Sequence, residues 1–154
     1  VLARTAGANR MLTQAFQQHR VVKEYVAVVH APNRLMEEGV IDARLAADPK
    51  RDDHVCVVEK GGQRALTRYR VTARCDNGRR VHLWPTTGRT HQLRVHLAYL
   101  DAPIMGDRIY GDVWTAPRLM LHALRITLPA EGGVPSRTFV APLPGEFGRR
   151  CGES

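Results

Sequence analysis

The run Leu66 to Arg74 alternates with period two. Thr67, Tyr69, Val71 and Ala73 fall on one face, and Arg68, Arg70, Thr72 and Arg74 on the other. Side chains of a strand point alternately to opposite faces, so this segment is a strand with one face toward a core and one carrying arginines. Asp76-Asn77-Gly78 breaks it and Val81-His82-Leu83-Trp84 returns, which is a hairpin. A two-residue Asn77-Gly78 loop would oppose Arg74 to Val81 and mix the faces. A three-residue loop with Gly78 left-handed pairs Arg74 with Arg80, Val71 with Leu83 and Arg70 with Trp84, and is the expected register. It sets two like charges opposite each other. Either they splay into water or a polyanion offsets their repulsion.

The rest of the chain reads around this hairpin. Thr5 is a suitable N-cap, and Ala8, Met11, Leu12, Ala15 and Phe16 form one helical stripe. The helix is expected to run to about Gln18. Val1-Leu2-Ala3 reads as the end of a buried strand, and Val22 to Val29 as a strand. Ala31 to Asp53, with Pro32, Gly39, Pro49 and mixed charge, reads as a long irregular connection with at most a short element near Val40-Ile41. Val55 to Glu59 is a short strand before a Gly61-Gly62 turn. A helix starts near Thr90, carries Leu93, Leu97 and Leu100 inward, and stops at Ala102-Pro103. Leu119 to Leu128 and Thr138 to Ala141 read as partnered strands. Pro142, Pro144 and Gly145 close the domain, and Gly148 to Ser154 is expected to fray. This order predicts an α+β fold, a mixed, largely antiparallel β-sheet flanked by a few helices.

Length and composition set bounds. At 154 residues the chain suits one domain with its own core. No apolar run approaches the roughly 18 residues of a membrane span, and no secretory leader opens the sequence. Cys56, Cys75 and Cys151 are odd in number and far apart. They fit neither a disulfide framework nor a zinc ribbon, and a reducing, cytoplasmic setting is expected. The formal charge is +8, and lysine occurs only at Lys23, Lys50 and Lys60, so the excess is arginine. Guanidinium forks suit phosphates and stack on bases. GC-rich codon usage is the other source of such an excess.

Thr87-Gly88-Arg89-Thr90-His91-Gln92-Leu93-Arg94-Val95-His96 follows a strand and Pro85. A strand, a glycine turn and a helix start present free backbone N–H groups to an anion. Arg89, Thr90 and His91 are therefore candidates for a phosphate, and Gln92 for a hydrogen bond to a ligand's sugar, base or backbone. His91 and His96 are five apart and do not share a helix face, so a zinc pair is not expected. The first glycine and the lysine of a P-loop are missing. Asp52-Asp53 and Glu37-Glu38 are adjacent acids of the kind that face water, a weak basis for a hydrolase.

Four blocks in order resemble the RluA-type RNA pseudouridine synthases. Thr5 to Phe16 followed by Val22-Lys23-Glu24-Tyr25-Val26-Ala27-Val28-Val29 is similar to the family's helix and its Lys-x-Tyr-x-Ala strand. Ala65 to Val71 is similar to its Ala-x-Thr-x-Tyr-x-Val strand, and Thr87 to His96 to its active-site helix signature. Pro103 to Gly111, Arg118 to Ala123, and Ala141 to Pro144 before Phe147 are similar to its closing motifs. The resemblance implies isomerisation of uridine to pseudouridine in RNA with no cofactor or metal. It implies that Tyr25 stacks on the flipped base and assists proton removal, that Arg94 pairs with the catalytic aspartate, and that Leu121 packs near the base. It also implies the pseudouridine synthase fold without its N-terminal part, residues 1–147 being part of the catalytic domain and 148–154 a tail.

The family's essential aspartate lies in a His-Arg-Leu-Asp stretch expected just ahead of Val1. The 154 residues contain no such stretch, since His19-Arg20 is followed by Val21. The chain alone is therefore expected to be inactive, unless an acid such as Asp101 or Asp107 substitutes. Flipping a uridine costs a few kcal/mol, so the expected partner is a tRNA or ribosomal RNA stem-loop, bound by a monomer with no membrane association. The alternative is a non-catalytic RNA-binding fragment or degenerate paralogue.

Overall fold

The computed structural model describes residues 2–30, 35–75, 77–149 and 151. One antiparallel sheet of seven strands organises them, in the order β3-β2-β4-β5-β1-β6-β7. Helix α1 (Ala6–Gln17) opens the chain, capped by Thr5, whose Oγ1 accepts the Ala8 N–H at 3.2 Å. Ala15 is buried and Ala8, Met11 and Leu12 are half-buried, but Phe16 faces solvent and leaves the expected stripe. Leu2, expected inside a buried strand, is 96% exposed, and Val1 lies outside the described residues.

Strand β1 (Val22–Val29) is central, pairing β5 (Gly78–Pro85) on one side and β6 (Leu121–Leu128) on the other. Covered at both edges and on both faces, Val26, Ala27, Val28 and Val29 are fully buried. This explains their unbroken apolar run. Beyond β6 lies β7 (Arg137–Val140). On the other side β4 (Gln63–Cys75) pairs β5, β2 (Glu38–Ala47) pairs β4, and β3 (Val55–Val58) is the edge.

Two expectations are corrected here. The stretch read as an irregular connection contains the ten-residue strand β2, while residues 31–34 lie outside the described residues. Ile41 and Leu45 of β2 point to the core, with Glu38, Asp42 and Arg44 opposite. Gly39, taken as a breaker, lets the Tyr69 ring pack, since a Cβ there would stand 2.9 Å from it.

The hairpin register also differs. Cys75 opposes Gly78, Arg74 opposes Arg79 rather than Arg80, Val71 opposes Val81 and Arg70 opposes His82. A bulge at Thr72 absorbs one residue. The shift is two residues at Val71, so the side chains up to that point keep their face, whereas beyond the bulge Arg74 opposes Arg79 and leaves the face of Arg68 and Arg70 for that of Val81. Gly78 is needed for close approach rather than for a left-handed turn, because a Cβ would stand 2.0 Å from the Val29 carbonyl oxygen. Asp76 of the expected turn lies outside the described residues.

Helix α2 (Gln92–Tyr99) packs on the sheet face that carries Thr67, Tyr69 and Leu83. Leu93 and Leu97 are buried beneath it as expected, and Leu100 is half-buried. Helix α3 (Gly145–Arg149) buries Phe147 on the opposite face, its ring 6.0 Å from that of His122. Of the expected tail over 148–154, Gly148 and Arg149 are helical, and residues 150 and 152–154 lie outside the described residues. Cys75 and Cys151, expected as separate thiols, are joined by a disulfide, and Cys56 is free. Among the described residues no helix is long and apolar enough to cross a membrane.

Candidate functional site

The site is built on the turn between β5 and α2. Pro85 ends the strand, and Thr87 is buried at the corner. Its Oγ1 accepts the Leu66 N–H at 3.0 Å and donates to Gln92 Oε1 at 2.7 Å. Gln92 Oε1 also accepts the Arg89 N–H at 3.0 Å, while Nε2 donates to Leu66 O at 3.1 Å and Thr67 Oγ1 at 3.0 Å. Both acceptor and both donor positions of this amide are thus used within the fold. Gln92, expected at the RNA, is the peg that fixes the turn to β4, with no capacity left for a ligand.

One turn along, His96 is buried with Nδ1 3.0 Å from the same Thr67 hydroxyl. Its Nε2 has no hydrogen-bond partner, and burial pushes its pKa down to about 4.

His91 begins the helix in the left-handed region, φ 53° and ψ 15°. This turns its ring toward Tyr110, whose hydroxyl lies 2.9 Å from His91 Nδ1 and accepts the Val55 N–H at 2.9 Å. Burial lowers the His91 pKa, helped by the Arg94 charge and opposed by Asp107. Arg89, Thr90 and His91 together line an open cleft of about 780 Å³ with Asp53, His54 and Gln63. A phosphate there would meet one guanidinium and an imidazole beside an acid.

Arg94 lies on the helix side away from β4. Its Nε donates to Asp107 Oδ2 at 2.8 Å and its terminal nitrogen to Oδ1 at 2.6 Å. The guanidinium carbon sits 5.0 Å from the centre of the Tyr110 ring. Asp107 is fully buried and also accepts the N–H groups of Ile109 (2.9 Å) and Tyr110 (3.1 Å). Burial alone would raise its carboxyl. The Arg94 guanidinium and the two backbone donors outweigh burial and hold it below the usual carboxylate range. The aspartate facing Arg94 in this structure is therefore Asp107, thirteen residues along. No spacing rule exposes that pairing, because the connection through Pro103 to Gly106 is irregular.

Tyr25 lies on β1 between Leu83 and Ala123. Leu121 opposes Ala27, so Tyr25 and Leu121 are diagonal neighbours on one face, within reach of an aromatic ring. Burial raises the Tyr25 pKa. Lys23, two residues earlier and not singled out from sequence, reaches the turn, its Nζ donating to Thr87 O at 3.0 Å, and burial lowers its pKa. The Lys-x-Tyr spacing was the available signal, since it puts both side chains on one strand face. The structure thus brings Tyr25 and Leu121 together on the central strands and Arg89, Thr90 and His91 together beside β3. No hydrogen bond joins Tyr25 to Arg94. Among the described residues no group of three or more His, Cys, Asp or Glu side chains could hold a metal ion.

The family model described as RNA pseudouridylate synthase matches residues 1–99. The chain is 43% identical over 148 residues to the dual-specificity RNA pseudouridine synthase RluA of Escherichia coli (strain K12), covering 92% of this chain and 66% of that protein. It is 33% identical over 164 residues to ribosomal large subunit pseudouridine synthase D of Pasteurella multocida (strain Pm70), covering 96% of this chain and 49% of that one. The solved structure of human RNA pseudouridylate synthase domain containing 1 superposes with a TM-score of 0.81 at 27% identity, over 94% of this chain and 64% of that one. The chain therefore spans about half to two thirds of the length of the relatives it matches.

Proposed function

Because the chain belongs to the RNA pseudouridylate synthase family, we propose that its protein isomerises uridine to pseudouridine in transfer or ribosomal RNA. The bond from the ribose anomeric carbon to the base nitrogen breaks, the base turns over, and a base carbon takes the bond to the sugar. The catalytic aspartate is supplied from outside these 154 residues, and residues 1–147 form the part of the catalytic domain that receives it. The observation that carries this reading is the family match over residues 1–99, which takes in both Tyr25 and Arg94.

The roles follow from the chemistry of each group. Asp107 engages the Arg94 Nε and one terminal nitrogen, and a guanidinium has five N–H donors. The remaining donors suit a second carboxylate, held ionised by the same positive charge. Asp107 then acts as a positioning residue that fixes the Arg94 fork. Tyr25 offers a ring on the sheet face beside Leu121. Burial disfavours its phenolate, a direction that supports stacking on the flipped base more than removal of a base proton. Arg89, Thr90 and His91 contact phosphate from the cleft they line. Gln92 contributes by locking the turn. The protein acts in the cytoplasm as a monomer, needs no cofactor, and takes a stem-loop in which the target base is already partly unstacked.

Tritium release from uridine-labelled transfer and ribosomal RNA tests the reading. The protein including its aspartate segment should release label, and the 154-residue chain alone should not. Arg94→Ala in that protein should abolish turnover while RNA affinity falls less than about tenfold. A collapse of binding as complete as the loss of activity would refute the pairing role.

A further inference from the structure

Among the described residues no helix covers the face of β2, β4 and β5 turned away from α2, and this face is rich in arginine. The register places Arg44 opposite Arg64, Arg68 opposite both Val40 and Trp84, and Arg70 between Glu38 and His82. Arg80 follows beside Thr72, its Nε 3.4 Å from that hydroxyl. Same-face positions along a strand recur about every 6.6 Å, so these guanidinium groups form a stripe rather than a cluster. Arg64 is paired with Asp42 and Arg70 with Glu38. Among the described residues no carboxylate pairs with Arg44 or Arg68. Arg44 donates to the Gly61 and Gly62 carbonyls, and Arg68 lies over the Trp84 ring, 4.9 Å from its centre. Val40, opposite Arg68, is 62% exposed. The stripe thus carries arginines of which Arg44 and Arg68 pair with no carboxylate among the described residues, an exposed valine, and a planar cation spread on an indole.

We propose that this sheet face is a second RNA surface that binds the single-stranded flank of the substrate, outside the cleft that takes the target uridine. The proposal rests on the RNA-modifying reading above. The physical match has two parts. A row of guanidinium groups tracks a phosphate backbone through charge. The Arg68–Trp84 stack presents a delocalised plane on which a base can lie, and such stacking tolerates any sequence. A duplex makes its bases unavailable for stacking and uses only the first part.

The experiment uses the protein with Arg44→Glu, Arg68→Glu, and separately with Trp84→Leu, after thermal unfolding shows that each folds. RNA affinity is measured by fluorescence anisotropy, over a range of salt, for a minimal stem-loop and for that stem-loop with a single-stranded extension. The extension should strengthen binding to the unsubstituted protein. In the double charge reversal that gain should vanish, and the slope of log affinity against log salt should fall by about 1.4, the value for two lost single-strand phosphate contacts. Trp84→Leu should remove part of the gain with little change in slope. Affinity for the minimal stem-loop should stay within about twofold throughout. Unchanged affinity for the extended RNA would overturn the proposal, as would equal losses on both RNAs, which would place the arginines in the cleft's own field. A failure of pseudouridine formation by the unsubstituted protein would count against the enzymatic reading alone, because the binding comparison needs no turnover.

Discussion

Asp107→Asn isolates what the buried ion pair contributes. The carboxylate accepts four hydrogen bonds, two from Arg94 and one each from the Ile109 and Tyr110 N–H groups. An asparagine oxygen can keep the two backbone donors, but its amide nitrogen then faces the guanidinium as donor against donor. Arg94 is left positive with its side chain 15% exposed and, among the described residues, the Tyr110 ring as its remaining partner. Breaking a buried pair by removing one member costs about 3–5 kcal/mol. The exposed fraction of Arg94 places this case at the lower end, about 3 kcal/mol. For a chain of this size that is a fall in Tm of roughly 6–12 °C.

Urea and thermal unfolding of the 154-residue chain measure it. Asp107→Asn with Arg94→Met removes the stranded charge as well, so the double variant should lose less than the sum of the two singles. The pH dependence carries a sign. The folded Asp107 pKa lies below its ordinary 3.8, so its contribution is present above about pH 4 and fades as pH falls through the folded value. The gap between the parent chain and Asp107→Asn should therefore be constant near neutrality and narrow under acid. A loss below about 1 kcal/mol, or strictly additive singles, would refute the buried-pair reasoning.

Two further outcomes follow from the same framework. Gly106 has φ +72°, and a Cβ there would stand 2.1 Å from the Arg118 carbonyl oxygen. Gly106→Ala should cost roughly 2–5 kcal/mol by urea denaturation, from left-handed strain plus overpacking. His96 has a folded pKa of about 4 against an ordinary 6.5. The unfolded chain therefore binds a proton first, and stability should decline as pH falls from about 6.5 to about 4, then level off. His96→Leu should flatten that segment of the Tm against pH curve.

Much of the frame was legible because local rules and tertiary needs agree. Thr5 caps α1, β4 alternates, and Leu93 and Leu97 enter the core where their periods place them. Strand β2 was hidden because Gly39 and the acid–base mixture at Asp42 and Arg44 have the look of a loop. Both are consequences of tertiary demands, a ring packed over one face and water on the other. The bulge at Thr72 was invisible because the alternation of residues 66–74 continues through it without a break, and a one-residue insertion shows only in the pairing with β5. At the site, Tyr25, Arg94 and Leu121 were named from motif positions. That Gln92 locks the turn was not legible, because a glutamine beside a helix start gives no sign of whether its amide turns inward. The Arg94–Asp107 pair and the Lys23–Thr87 bond depend on segments that meet only after folding.

The central place of β1 has a cost in time. Tyr25 must meet Leu83 on one side and Ala123 on the other. A ribosome adds about 5–20 residues per second, so the first neighbour emerges roughly 3–12 s after β1 and the second roughly 5–20 s after it. Until the first emerges, Val26 to Val29, the most completely buried run of the finished molecule, has neither sheet partner, and until the second emerges one edge stays open to another nascent chain. Early pairing of β2, β3 and β4, which are close in sequence, cannot shelter it. Yield in a cell should therefore depend on translation speed and chaperone supply more than on the stability of the final sheet.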